Sequence, residues 1–123
     1  MNGDLVAAKK VLDSGCNCVL CLKGLVLTSK KEVINSLIEF LDSKMDFKEF
    51  ASAARIITEL EAIIYIKLGI KDIFTYKLNK NAKELFDKHN INCMYIDLTD
   101  DSKANINLDD DIDKIIENIK KTM

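Results

Sequence analysis

The chain has 123 residues, of which 48% are apolar and 31% charged, and its formal net charge is −2. This length allows one substantial hydrophobic core, so we expect a single domain over residues 1–123. The slight acidity, with lysines spread among acids and Arg55 as the only arginine, argues against a nucleic-acid-binding face.

The sequence shows no signal for export or for insertion into a membrane. Its first fifteen residues carry charges where a signal peptide would need an apolar run. The apolar stretch AIIYIKLGI is about half of the roughly 20 residues that a membrane-spanning helix needs. We therefore expect a cytoplasmic protein without a membrane partner, whose four cysteines stay reduced.

The first half of the chain predicts a helix, a β-hairpin and a second helix. The stretch GDLVAAKKVLDSG has helical apolar spacing, with Asn2 or Asp4 as the cap and Gly15 at its end. Two short valine- and leucine-rich runs, near 17–23 and 25–29, are joined around Lys23 and Gly24 as in a hairpin. KKEVINSLIEFLDSK is helical again.

The second half predicts a long core helix followed by alternating strands and helices. SAARIITELEAIIYIKLG is apolar around most of its circumference, with Ser52 as a candidate N-cap and Gly69 after its end. IKDIFTYKL and NCMYIDL are predicted as strands, and the segment between them as a helix capped by Asn79 or Asn81. Residues 99–123 are predicted to form a polar loop and then an amphipathic C-terminal helix. We expect this helix to pack either on its own sheet or on a partner.

This order of elements defines the expected fold class. A strand, a helix and a further strand form a βαβ unit, which implies parallel strands and a right-handed crossover. The hairpin adds an antiparallel pair. We therefore expect a three-layer α/β fold with a mixed sheet, antiparallel at the hairpin and parallel beyond it, and with helices on both faces.

Three stretches carry a resemblance to a known family: CVLCLKG, ASAARIITELEAIIYIKLGIKDIFTYKLN and KELFDKHNINCMYIDL. Over roughly residues 3–98 the chain resembles a small uncharacterised bacterial family with a cytidine-deaminase-like fold. The resemblance implies that fold, and it implies no established activity. The family tends to end with a threonine- and glycine-rich segment that contains a cysteine, whereas this chain has TDDSKANINLDDD there.

The deaminase-like fold allows a test for zinc chemistry. Zinc deaminases carry His-or-Cys-x-Glu at one helix start and Pro-Cys-x-x-Cys at the next, because three protein ligands hold the metal and a glutamate moves protons. The two predicted helix starts are FASAARI, which contains no histidine, cysteine or glutamate, and LNKNAKEL, which contains no cysteine. We expect no metal, no other cofactor and no catalytic residue of the zinc-deaminase type.

The cysteine-rich stretch CNCVLC is the other candidate for chemistry. In a strand Cys18 and Cys21 point to opposite faces, while Cys16 and Cys18 would share a face. A metal site that combines Cys16, Cys18, His89 and Cys93 is conceivable. The favoured interpretation is that these cysteines are small buried apolar residues.

Two predicted helix starts offer a candidate binding site of a different kind. Helix N-termini present free N–H groups and the positive end of the helix dipole, which suits anions. The candidate ligand-binding residues are Ser52, Arg55, Asn79, Lys80 and Asn81. The alternative is that Ser52 and Asn79 are ordinary caps, that the lysines are solvated, and that Arg55 pairs with the acid one helical turn further on.

The leading functional hypothesis is a non-catalytic domain that binds a small polar or anionic ligand in this cleft. The alternative is a structural or protein-interaction module, a homodimer without any ligand. A second alternative is an enzyme that uses the cleft without a metal.

Overall fold

A computed structural model describes residues 2–100 and 110–122 of the chain. After the hairpin β1–β2 the elements alternate between helices and strands. They run in this order: α1 (Gly3–Asp13), β1 (Cys18–Leu22), β2 (Leu25–Ser29), α2 (Val33–Asp42), β3 (Ala51–Ile57), α3 (Glu59–Leu68), β4 (Asp72–Asn79), α4 (Lys80–Lys88), β5 (Asn92–Thr99) and α5 (Ile112–Lys121).

The five strands form one mixed sheet in the order β2-β1-β3-β4-β5. Strand β1 pairs antiparallel with both β2 and β3, and Cys18 stands opposite Ser29 on one side and Ala54 on the other. Strands β3, β4 and β5 are parallel, which gives two βαβ units with α3 and α4 as their crossover helices. The predicted α/β class with a mixed sheet is confirmed.

Helices cover both faces of the sheet, in unequal numbers. On one face α1 is the only helix within residues 2–100 and 110–122, and its residues Leu5, Ala8 and Leu12 are buried against β1, β3 and Phe74 of β4. The other face carries a larger apolar cluster, to which α2, α3, α4 and α5 all contribute. The molecule therefore has three layers, with the sheet in the middle.

Strand β3 corrects the predicted core helix. Ala51–Ile57 is extended and pairs with strands on both sides, so the helix that was expected to begin at Ser52 begins seven residues later, at Glu59. Alanine favours helices intrinsically, but that preference is weak and tertiary pairing overrides it. Here the small side chains of Ala53 and Ala54 are fully buried, one against each helical layer.

Helix α3 begins and ends at strong local signals. Thr58 and Glu61 form a capping box. The side chain of Thr58 accepts from the backbone N–H of Glu61, and the carboxylate of Glu61 accepts from the backbone N–H of Thr58. The helix ends at Gly69, whose φ of 77° is left-handed and whose N–H donates to the carbonyls of Tyr65 and Ile66. The predicted stop at Gly69 is correct, while the predicted start is not.

Other local predictions are confirmed. Asn2 caps α1 by accepting from the N–H of Leu5 at 2.6 Å. The hairpin turn lies at Lys23 and Gly24, which both have positive φ. Asn79 caps α4.

The C-terminal helix packs on another helix rather than on the sheet. Ile115, Ile116 and Ile119 of α5 are buried, and α5 contacts α3. Asp111 caps the helix by accepting from the N–H of Lys114. Most of the predicted polar loop, residues 101–109, lies outside the described residues.

None of the described helices combines the length and the apolar run that a bilayer span requires.

The left-handed end of α3 gives a stability prediction. Gly69→Ala forces a Cβ into a left-handed residue and places it 3.0 Å from Cγ of Lys48, so we expect a loss of about 1–2 kcal/mol in the free energy of unfolding. Gly3→Ala is the matched control, because Gly3 lies in the first turn of α1 with nothing within 4 Å of the added Cβ. Urea unfolding measures both. Equal stability of the two variants would contradict this account of the helix end.

Candidate functional site

The carboxyl ends of the parallel strands and the beginning of β1 lie at one edge of the sheet. This follows from the pairing, since β1 runs antiparallel to β3 and places Cys18 opposite Ala54. Asn17, Thr58 and Asn79 therefore stand at the same edge. In open α/β sheets this is the edge where ligands bind, in the crevice outside the strand ends.

A cavity of about 390 Å³ opens at this edge, between the start of α2 and the end of β3. Its walls combine both signs of charge with apolar side chains, and the lining residues are Asn17, Glu32, Val33, Ile34, Arg55, Ile56, Thr58 and Glu61. Known small-molecule pockets share this mixture of apolar walls and a few polar groups.

Arg55 is the only cation among the described residues that line the cavity. It lies in β3, is half-buried, and donates from Nη2 to the carbonyl of Leu12 at 2.8 Å. Its backbone N–H donates to the carbonyl of Asn17 at 3.1 Å, which ties the strand to the residue before β1. Because β3 is a strand, Arg55 cannot pair with Glu59 as residues one turn apart in a helix would, and that predicted alternative is wrong.

Glu61 is the buried acid of the cavity, with 6% of its surface exposed. One carboxylate oxygen, Oε1, accepts from the N–H of Thr58 at 2.7 Å and from its hydroxyl at 2.9 Å. Burial raises the pKa of Glu61, and the bonds from Thr58 offset part of that rise. The neighbouring charge of Glu59 raises the pKa further.

The third wall of the cavity is the first turn of α2. Glu32 is the N-cap residue, and no side chain caps this helix, unlike α1, α4 and α5. The first N–H groups of a helix have no partner inside the helix, and Val33 and Ile34 belong to this first turn and line the cavity.

The predicted residues at the start of α4 form a separate group. Asn79 is buried and accepts from the N–H groups of Asn81 and Ala82 at 2.8 and 3.2 Å. Lys80 forms an exposed ion pair with Asp100. Asn81 donates from Nδ2 to Glu59 at 3.5 Å, so this group meets the start of α3.

Ser52 is a core residue rather than a helix cap or a ligand contact. It is fully buried in β3, and its hydroxyl donates to the carbonyl of Val19 at 2.9 Å. The same oxygen lies 2.7 Å from the hydroxyl of Tyr65, and Sγ of Cys18 lies 3.9 Å from that hydroxyl. The five predicted site residues therefore separate into a cavity residue, Arg55, a group at α4, and a buried structural serine.

The cysteines are free thiols, and three of them are buried. Cys18 belongs to the larger core cluster, whereas Cys16 and Cys21 belong to the α1 cluster. The divergence of Cys18 from Cys21 is confirmed, but the shared face of Cys16 and Cys18 is wrong because Cys16 precedes the strand. Burial raises the pKa of both Cys18 and Cys93 to about 12, so these two thiols stay protonated at neutral pH and are poor nucleophiles.

Because residues 51–57 form a strand, the helix start at which a zinc deaminase carries its first ligand lies at Thr58 rather than at Ser52. FASAARI includes most of strand β3, and the true start of α3, at Thr58 and Glu59, contains no histidine or cysteine either. Within residues 2–100 and 110–122, no group of three His, Cys, Asp or Glu side chains is placed to hold a metal ion.

Sequence reasoning missed four of the polar residues that line the cavity: Asn17, Glu32, Thr58 and Glu61. One signal could have found two of them. Thr58-x-x-Glu61 before an apolar run has the capping-box pattern, which marks a helix start at Thr58 rather than at Ser52. Asn17 and Glu32 are brought together at the cavity by the packing of α2 beside β1, which no local sequence pattern predicts.

These features define a three-layer α/β domain whose five-stranded mixed sheet has a small polar cavity at its carboxyl edge. A family model described as "TM1506: Domain of unknown function (DUF1893)" matches residues 6–99. The chain belongs to the DUF1893 family, which is uncharacterised.

A solved structure supports the fold. The crystal structure of a DUF1893 family protein (TM1506) from Thermotoga maritima aligns with a TM-score of 0.83 at 14% identity, and it covers 100% of this chain and 92% of that one. At this identity the similarity concerns the fold alone. No curated protein matches the chain. The cytidine-deaminase-like label stays a prediction.

The Ser52–Tyr65 bond gives a second stability prediction. Ser52→Ala leaves the buried hydroxyl of Tyr65 with only the distant Sγ of Cys18, so we expect a loss of about 1–3 kcal/mol. Tyr65→Phe leaves Ser52 bonded to Val19 and should cost about 0.5–1.5 kcal/mol. Because both variants remove the same bond, the double variant should lose less than the sum, as measured by denaturant unfolding. Additive losses would show that the two hydroxyls do not interact.

The raised pKa of Glu61 gives a third prediction, on pH. The native state holds this proton more tightly than the unfolded chain, so the contribution of Glu61 to stability is present below its ordinary pKa of 4.5 and is lost as pH rises through the native pKa. Glu61→Gln keeps an oxygen for the capping box and removes the titration. The stability of this variant minus that of the parent should therefore increase as pH rises above about 4.5 and then level off.

Unfolding of both proteins in urea across this pH range measures the difference. Glu84→Gln is the matched control, because the carboxylate of Glu84 is exposed on α4. A flat difference for Glu61→Gln would mean that its burial does not disfavour the charged form.

Proposed function

We propose that this protein binds a small polar ligand in the cavity between the start of α2 and the end of β3. The observation that carries the proposal is the joint presence of Arg55 and Glu61 on one cavity of about 390 Å³. The ligand has hydrogen-bond acceptors at one end and donors at the other. This proposal keeps the ligand-binding hypothesis and moves its site from the group at α4 to this cavity.

The acceptor end of the ligand is recognised by Arg55 and the first turn of α2. A guanidinium has five N–H donors, and the bond from Nη2 to Leu12 leaves donors available for an oxygen of a ligand. The uncapped N–H groups at the start of α2 add donors and the positive end of a helix dipole.

The donor end of the ligand is recognised by the carboxylates of Glu61 and Glu32. Both bonds from Thr58 converge on Oε1 of Glu61, which leaves Oε2 to accept from a ligand. Glu32, exposed at the rim, adds a second carboxylate.

This balance of charge favours some ligands over others. Among the described residues, two carboxylates and one guanidinium line the cavity, so a purely anionic ligand would meet a net repulsion. A zwitterion or a neutral molecule with an amide-like edge satisfies both ends. Val33, Ile34 and Ile56 supply apolar contact for the body of such a molecule.

A thermal-shift experiment with four probes tests the proposal. Glutamine and cytosine each carry donors and acceptors, whereas inorganic phosphate is an anion and guanidinium a cation. We expect glutamine or cytosine to stabilise the fold, inorganic phosphate to have no effect, and guanidinium, which can pair only with the carboxylates, to stabilise it less than the better of the first two. At about 10 mM probe, a Kd of about 1 mM corresponds to about 1.4 kcal/mol of added stability.

Two charge-neutralising variants locate the binding. Arg55→Gln should weaken binding of the stabilising probe at least about tenfold, which is about 1.4 kcal/mol. Lys77→Gln is the matched control, because Lys77 is an exposed residue of β4 that stands beside Ile56 and lies outside the cavity lining. A probe that binds both variants equally well, or a set of four probes that leaves the unfolding temperature unchanged, would overturn the proposal.

A further inference from the structure

The outer edge of β5 is the largest unpaired strand edge that the structure describes. The strand has eight residues and pairs with β4 on one side, while no strand within residues 2–100 and 110–122 pairs with its other side. Four large side chains on it are exposed: Met94 (40%), Tyr95 (36%), Ile96 (60%) and Leu98 (40%). A long apolar edge of this kind is a template for pairing with another chain.

Within the described residues, β5 contains no lysine, no proline and no bulge. Such edges are commonly blocked by lysine, proline or a bulge, but the only charged side chain in β5 is Asp97, which stands beside Lys77 of β4. The opposite edge of the sheet, β2, is shorter at five residues and is flanked by the exposed lysines Lys23 and Lys30. The two edges therefore differ in their capacity to pair.

We propose that β5 pairs antiparallel with β5 of a second copy of this chain, about a two-fold axis at Ile96. The two five-stranded sheets then form one continuous sheet of ten strands. An antiparallel pairing of identical strands is isologous, so each copy uses the same surface and the assembly closes as a dimer.

The hydrogen-bonding pattern permits this register. Asn92 donates its N–H to Lys71 at 2.8 Å, towards β4, so by alternation the N–H groups of Cys93, Tyr95 and Asp97 point outwards. With the axis at Ile96, Tyr95 stands opposite Asp97 of the second copy, and the two residues exchange their outward backbone bonds. Ile96 faces its own copy in a non-hydrogen-bonded pair, where the side chains are closest.

The side chains are complementary in this register. Met94 stands opposite Leu98 of the second copy and Ile96 opposite Ile96, so apolar residues meet one another. A register centred one residue later would place Asp97 directly opposite Asp97, which is unfavourable.

Sedimentation of the full chain tests the dimer. One strand pair makes a small interface, so we expect a Kd of about 1 μM to 1 mM and a mass that rises with concentration from 13.9 kDa towards twice that value. Ile96→Lys should keep the chain monomeric throughout. Val26→Lys is the matched control on β2, where the side chain is also exposed, and it should dimerise as the parent does. Far-UV circular dichroism checks that both variants are folded.

A disulfide cross-link tests the register. In a Cys93→Ser background, Ile96→Cys places two thiols at the axis, where Cα atoms of a non-hydrogen-bonded pair are about 4.5 Å apart and within disulfide range. The remaining cysteines, Cys16, Cys18 and Cys21, are buried. Mild oxidation should therefore give a covalent dimer, whereas Val26→Cys in the same background should not.

Three results would overturn the proposal: a parent chain that stays monomeric at about 1 mM, dimerisation that Val26→Lys abolishes and Ile96→Lys does not, or a dimer in which Ile96→Cys fails to cross-link. A cross-link through Ile96→Cys together with a monomeric Ile96→Lys supports it.

Discussion

The packing of two helical layers on the small side chains of β3 is the constraint on which the rest of the structure depends. Ala51 and Ala53 face α1, and Ser52 and Ala54 face the larger helical layer. Larger side chains would separate the helices from the sheet or leave strained contacts, because protein interiors are close-packed. The hydroxyl of Ser52 also satisfies the buried hydroxyl of Tyr65, so this polar residue fixes how α3 lies on the strand.

The same small side chains explain which part of the fold the sequence could predict. The hairpin at Lys23 and Gly24 and the helix capped by Asn79 follow from local chemistry, and the structure confirms both. The run ASAARII contains residues that favour a helix, and only its pairing with β1 and β4 makes it a strand. Tertiary pairing of this kind is not encoded in local propensity. The sequence therefore predicts one long helix where the structure has strand β3 followed by helix α3.

That error also limited what could be predicted of the site. The sequence predicts Arg55 as a ligand contact on a helix, where its neighbours would be different. In the strand it stands near Asn17 and Leu12, which are distant in sequence. A helix that begins at Ser52 has Glu61 in its interior, whereas α3 begins at Glu59 and Glu61 lines the cavity in its first turn. The chemistry of single residues could thus be predicted from the sequence, whereas their grouping depended on strand order.

The arrangement of the helices leaves the sheet unequal at its two ends. Helix α5 packs on α3 through its isoleucines, and its exposed ion pairs, Lys67 with Asp113 and Lys120 with Asp42, contribute little. Its described contacts are chiefly with α3 in the larger helical layer. On the opposite face α1 lies over β1, β3 and part of β4, so Met94, which stands beside Phe74 in the sheet, is beyond its reach. The exposure of Met94, Ile96 and Leu98 therefore follows from the position of α1, the one helix that the structure describes on that face.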